Sequence, residues 1–105
     1  MSLDLRDVVA GLVMLRREEP DFTLTAAMSF LAIVTMPKGV TATNLDALLQ
    51  LDHGTMSRTI AQLVERELVT RERDSRDKRA FRIHLSRRGE ALASIVRSEM
   101  HGGAR

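Results

Sequence analysis

Apolar residues recur along this chain in two rhythms, and the change from one to the other divides it into a helical part and a strand part. From residue 3 to 19 the period is 3.6, with Leu5, Val8, Val9, Leu12, Val13 and the stem of Arg16 in register, and Pro20 stops the run. Ser2 is the expected cap, and Asp4 and Asp7 near the start and Arg16 and Arg17 near the end suit the helix dipole. A second helix is expected after Thr23, through Ala26, Ala27, Phe30, Leu31 and Val34 to the break at Pro37-Lys38-Gly39, and its apolar content assigns it to the core. Thr41 caps a short helix carrying Leu45, Leu48, Leu49 and Leu51. An Asp52-His53-Gly54 turn then leads into a helix from about Thr55 to Arg66. One face of that helix holds Met56, Ile60, Leu63 and Val64, and the other largely Thr55, Ser57, Arg58 and Gln62.

After Leu68 the period shortens. Residues 68–73 and 81–85 read as strands, the second with strict alternation, and residues 74–80 between them form a charged, projecting hairpin tip. Ser86 caps a last helix with Leu92, Ile95, Val96 and Met100 on its apolar side, ended by Gly102-Gly103. The expected fold class is mostly α with a small β-hairpin, a winged helix-turn-helix, in one domain over residues 1–105.

Charge changes this picture because it is unevenly placed. The formal net charge is +2, yet residues 1–70 carry six basic and nine acidic side chains, a net of −3. Residues 71–88 carry eight basic and three acidic, a net of +5, and the remainder is neutral. A local cationic segment on a globular domain is an electrostatic footprint for phosphate, although a solvated hairpin would carry the same charges. Cysteine is absent, which removes disulfides, thiol redox sensing and Cys-based metal sites. The start lacks a basic segment followed by an apolar run, and no apolar stretch approaches the roughly 20 residues of a membrane span. A cytoplasmic protein without membrane attachment is expected.

Helix, turn, helix and hairpin together do physical rather than catalytic work, because a helix fits the DNA major groove and a neighbouring hairpin reaches the adjacent backbone or minor groove. Arg58 is the candidate for a bidentate contact to guanine and Gln62 for one to adenine. Thr55 and Ser57 are candidates for phosphate or base contacts, and His53 for a phosphate at the start of the helix. His53, His84 and His101 show no metal-ligand spacing, and no catalytic triad, phosphate loop or paired-carboxylate pattern accompanies them, so neither an enzyme nor a bound metal or cofactor is expected. A winged-helix module for protein binding is the rival reading, and a plasmid or phage replication or partition factor would use the same DNA contacts. The hydrophilic outer face of the fourth helix favours DNA over protein.

The stretch Asp77-Lys78-Arg79-Ala80-Phe81-Arg82-Ile83-His84-Leu85-Ser86-Arg87-Arg88-Gly89 resembles the wing signature of the MarR regulators, Asp-x-Arg-x-x-x-(Val/Ile)-x-Leu-(Thr/Ser)-x-x-Gly, at every fixed position. Residues 41–71, with Thr41, Leu45, Leu49, Ser57, Leu63 and Leu68-Val69, are similar to that family's helix-turn-helix. The resemblance implies a dimeric repressor that sets paired recognition helices into successive major grooves, with wing arginines in the flanking minor groove. It also implies that Asp77 and Arg79 brace the hairpin and that Arg76 and Lys78 meet DNA. A small-molecule effector pocket in the family lies between the dimer helices and the DNA-binding lobe. Glu67 stands where the family usually has a helix-ending Gly, and Asp46 where a small residue is common. With one helix after the wing, a homodimer would use the first and last helices through Val9, Val13, Ile95 and Met100, residues that could equally pack within one chain.

Overall fold

The computed structural model describes residues 4–76 and 80–100. Five helices and three short strands follow one another as α1 (Leu5–Glu18), α2 (Leu24–Val34), β1 (Val40–Thr41), α3 (Ala42–Leu49), α4 (His53–Glu65), β2 (Val69–Arg73), β3 (Phe81–Leu85) and α5 (Arg87–Met100). The mostly helical fold with a β-hairpin is as the hydrophobic pattern requires.

Side-chain caps set most helix starts. Thr23 accepts from the Ala26 N–H, Thr41 from Asn44, Asp52 from Thr55, and Ser86 Oγ from the Gly89 N–H, each meeting a donor that the first turn leaves without an intrahelical partner. Two starts differ from expectation. α1 is capped by Asp4, whose carboxylate accepts from the Arg6 N–H, while Ser2 lies outside the described residues. α4 begins at His53, so His53 and Gly54 are helical. The turn falls instead on Gln50 and Leu51, with Gln50 in the left-handed region at φ 55°.

The sheet has three strands, ordered β1-β3-β2 and antiparallel throughout. β1 was not anticipated, being only two residues long and too short to show alternation. It pairs Val40 with Ile83 and Thr41 with Arg82, and the β2–β3 ladder pairs Val69 with Leu85, Arg71 with Ile83 and Arg73 with Phe81.

Phe30 and Ile33 of α2, Leu45 of α3, Met56, Ile60 and Leu63 of α4, Leu68, and Val69 and Ile83 of the sheet form the core with Leu92, Ala93 and Val96 of α5. Full burial of a large apolar side chain contributes about 1.5–3 kcal/mol, so these residues hold α2, α4 and the sheet as a block. α5 runs along α1 and closes on this block at Gly89.

The loop that turns α4 into β2 places Glu67 at φ 61°, a left-handed conformation that costs a side-chain-bearing residue about 1 kcal/mol. Glu67 is exposed, and its backbone carbonyl accepts from the Ser86 hydroxyl. Glu67→Gly is therefore expected to stabilise the protein by about 0.5–1 kcal/mol, net of the greater freedom glycine has when unfolded. The check is a rise in urea midpoint at unchanged m-value; a fall would show that the loop conformation carries no strain.

Candidate nucleic-acid interface

The two faces of α4 are cleanly divided. Met56, Thr59, Ile60 and Leu63 are buried, whereas Ser57, Arg58, Ala61, Gln62 and Glu65 are exposed. A buried apolar stripe fixes the helix from behind and leaves the hydrophilic side chains facing outward on one rigid rod.

At the front of this rod the side chains are already organised. The Asp52 carboxylate accepts from both the backbone N–H (2.8 Å) and the hydroxyl (2.7 Å) of Thr55, and Arg58 Nη2 in turn donates to Thr55 Oγ1 at 3.3 Å. The Thr55 N–H, then its hydroxyl, and the charge of Arg58 together hold the Asp52 carboxyl below the usual carboxylate value. Because its folded pKa is depressed, Asp52 contributes stability that is fully present above its unfolded pKa and is lost as pH falls through the folded value. Asp52→Asn, which keeps a capping oxygen, is expected to shed this acid dependence. The melting temperatures of the two proteins should keep a constant difference above about pH 5, and that difference should move in favour of the variant at lower pH. A difference constant throughout would place the titration elsewhere.

The β2–β3 wing stands beside α4. A groove of about 620 Å³ runs between them, lined by Thr41, Thr43, His53, Ser57, Arg71 and Phe81 among others. Arg71, exposed on β2, and Thr43, exposed on α3, face this groove beside the residues singled out from sequence. Their only sequence signals were membership of the cationic segment and proximity to a capped helix start. At the tip end of the wing Asp74 Oδ1 accepts from the Arg76 N–H (3.1 Å), Asp74 Oδ2 lies 3.7 Å from Arg82 Nη2, and the Arg73 guanidinium stacks over the Phe81 ring at 5.0 Å. Arg82 Nη1 also donates to the Gly39 carbonyl at 3.1 Å, tying the wing to the segment before β1.

The expected contact residues fall into three groups. His53, Ser57, Arg58 and Gln62 are exposed on α4, and His53 Nδ1 lies 3.4 Å from Asp46 Oδ2 across the helix-turn-helix. Thr41 and Thr55 are partly buried and engaged in capping, and Thr41 also lines the groove. Arg76 is exposed at the wing, while Asp77, Lys78 and Arg79 lie outside the described residues. Among the described residues no group of three or more His, Cys, Asp or Glu could hold a metal ion, and no helix is long and apolar enough to cross a membrane.

The MarR family model matches residues 20–80, more than half of the chain and the span from the end of α1 into the wing. The chain belongs to the MarR family. MarR-type winged-helix structures superpose on it accordingly. The Staphylococcus aureus MepR–DNA complex aligns with a TM-score of 0.74 and 23% identity over 83% of this chain and 71% of that one. Wild-type MarR from Escherichia coli in its apo form gives 0.72 and 20% over 93% and 70%, and Streptococcus pneumoniae FabT in complex with DNA gives 0.67 and 21% over 73% and 53%. At these identities the likeness is one of fold, and this MarR-family chain spans 53% of FabT and 70% or more of the other two. No curated protein matches it.

Proposed function

We propose that this chain is a sequence-specific double-stranded-DNA-binding transcription regulator, acting as a homodimeric repressor in the cytoplasm. In this reading α4 enters the major groove and the wing enters the flanking minor groove. The observation that carries it is the division of α4 into a buried apolar face and an exposed face of Ser57, Arg58 and Gln62, set beside a basic wing. MepR and FabT, which share the fold, are each seen in complex with DNA, and that supports the same mode here.

Arg58 and Gln62 are assigned to base edges. Ser57, Thr55, His53 and Thr41 are assigned to the backbone around the start of α4, and Arg76, Lys78 and Arg79 to the wing contact. The 105 residues act as one domain whose terminal helices dimerise. Support comes from α1, where Leu5, Val9, Leu12 and Val13 recur at helical spacing and remain exposed, Val9 at 57% and Val13 at 41%, with Ile95 of α5 at 37%. Paired across a two-fold axis, these side chains would leave water. Met100, half-buried beside Gly11 of its own chain, is assigned to the same face. A small-molecule effector would act by shifting how the two helix pairs meet.

Selection of random-sequence DNA by the purified protein, followed by affinity measurements at several salt concentrations, tests the reading. An inverted repeat with half-sites about one helical turn apart is expected, with affinity falling steeply as salt rises. Failure to enrich any sequence, together with no binding at low salt, would overturn it in favour of a protein-interaction module.

A further inference from the structure

Where α1, α4 and α5 come together, one buried carboxylate meets two arginines. Glu19, the C-cap of α1, is 5% exposed. Each of its oxygens has its own donor: Arg66 Nη1 to Oε1 at 3.2 Å and Arg88 Nη2 to Oε2 at 3.2 Å. Arg66 is the C-cap of α4 and Arg88 the second residue of α5. Arg88 Nη1 also donates to the Arg66 carbonyl oxygen, which closes a ring through all three helices. The Arg66 guanidinium lies over the Phe22 ring at 5.1 Å, between α1 and α2.

A buried carboxylate is expensive to desolvate, and an apolar side chain of similar size would commonly pack such a place at least as stably. What the charged arrangement adds is geometry. Two directional, charge-assisted hydrogen bonds hold the ends of α1 and α4 and the start of α5 in one relation. α1 and α5 carry the exposed apolar face, and α4 carries the exposed polar one, so the clamp adds a directional link between them to the shared core and the Gly89–Leu68 contact.

We propose that Glu19 is a positioning residue that sets the angle of α4 against the α1–α5 pair, and through it the half-site spacing that a dimer accepts. This rests on the dimeric DNA-binding reading above. α4 has 13 residues and is therefore about 20 Å long. A tilt of about 5° at its clamped end moves its front end by about 1.7 Å, half the axial rise of one base pair. Two-fold symmetry applies the same tilt to the partner copy, so the two movements together amount to about one base pair, and a loosened clamp would let the dimer accept sites of more than one spacing.

The test compares the wild-type and Glu19→Gln proteins on duplexes carrying two copies of the selected half-site, at the preferred spacing and at one base pair more or less. Wild type is expected to favour the preferred spacing by about tenfold. In Glu19→Gln that ratio should fall to about threefold or less, while the penalty for exchanging a base inside a half-site stays unchanged. Arg88→Gln, at a partly exposed side chain, should move the ratio in the same direction. An unchanged ratio in folded variants, with or without a uniform loss of affinity, overturns the inference and leaves Glu19 a brace. Failure of both variants to fold also overturns it, since the clamp would then be a condition of folding rather than a setting of spacing. A wild-type protein that selects single half-sites fails the dimer reading itself, before any variant is made, and the inference falls with it.

Discussion

Gly89→Ala is expected to cost about 3 kcal/mol of stability and to lower the melting temperature by about 15 °C. A Cβ at this position would lie 2.0 Å from the Leu68 carbonyl oxygen and 3.0 Å from its carbon. Both are backbone atoms, so no side-chain rotation relieves the overlap. Leu68 is fully buried, and its carbonyl already accepts from the Ser86 N–H at 3.0 Å. To admit a methyl group, α5 would have to step back from the α4–β2 loop, which would pull at Leu92, Ala93 and Val96 in the core. Overpacking of this kind sits at the upper end of single-substitution effects because backbone must move on both sides. Thermal and urea denaturation measure it, and a loss below about 1 kcal/mol would mean that α5 moves away from the loop without disturbing the core.

The second large effect is on recognition. Arg58→Ala is expected to leave stability within about 0.5 kcal/mol of wild type, because the side chain is exposed. Discrimination between the selected site and single-base variants at one position should fall by about 1–3 kcal/mol, roughly 5- to 150-fold. Arg58 is suited to this role because Thr55, itself held by Asp52, already orients its guanidinium, so little freedom remains to be lost when a base edge is met. Affinities for the panel of single-base variants separate the possibilities. Undiminished discrimination would refute base reading. A uniform loss across the panel with a shallower salt slope would reassign Arg58 to a phosphate.

Much of the scaffold was legible because its signals are local. Thr23, Thr41 and Ser86 each mark a helix start, and the alternation in Phe81–Leu85 marks a strand. The fourth helix starts two residues earlier than its sequence suggests, because Gly54 reads as a turn residue although Asp52 caps the helix ahead of it. The left-handed residue that makes the turn is Gln50, whose type does not announce that conformation. On the polar face of α4, Ser57, Arg58 and Gln62 follow from helical spacing alone, whereas Arg71 and Thr43 join Ser57 at the groove only through tertiary packing. Glu19 shows the limit most sharply. In sequence it ends a charged run, Arg16-Arg17-Glu18-Glu19, and nothing nearby indicates burial. Its two partners are 47 and 69 residues away, so only the closed fold brings them together.

The two-residue strand β1 adds a further tie between elements that already share the core. Val40 and Thr41 pair with β3, the Gly39 carbonyl just before them receives Arg82, and Thr41 itself caps α3. Wing and helix-turn-helix are thus held at one angle to each other, with little slack for adjusting to a particular duplex. The accommodation must come from the DNA. With the wing in the minor groove, as proposed above, groove width and the ease of bending there would decide how well a site is bound, so preference would extend to base pairs that no side chain touches.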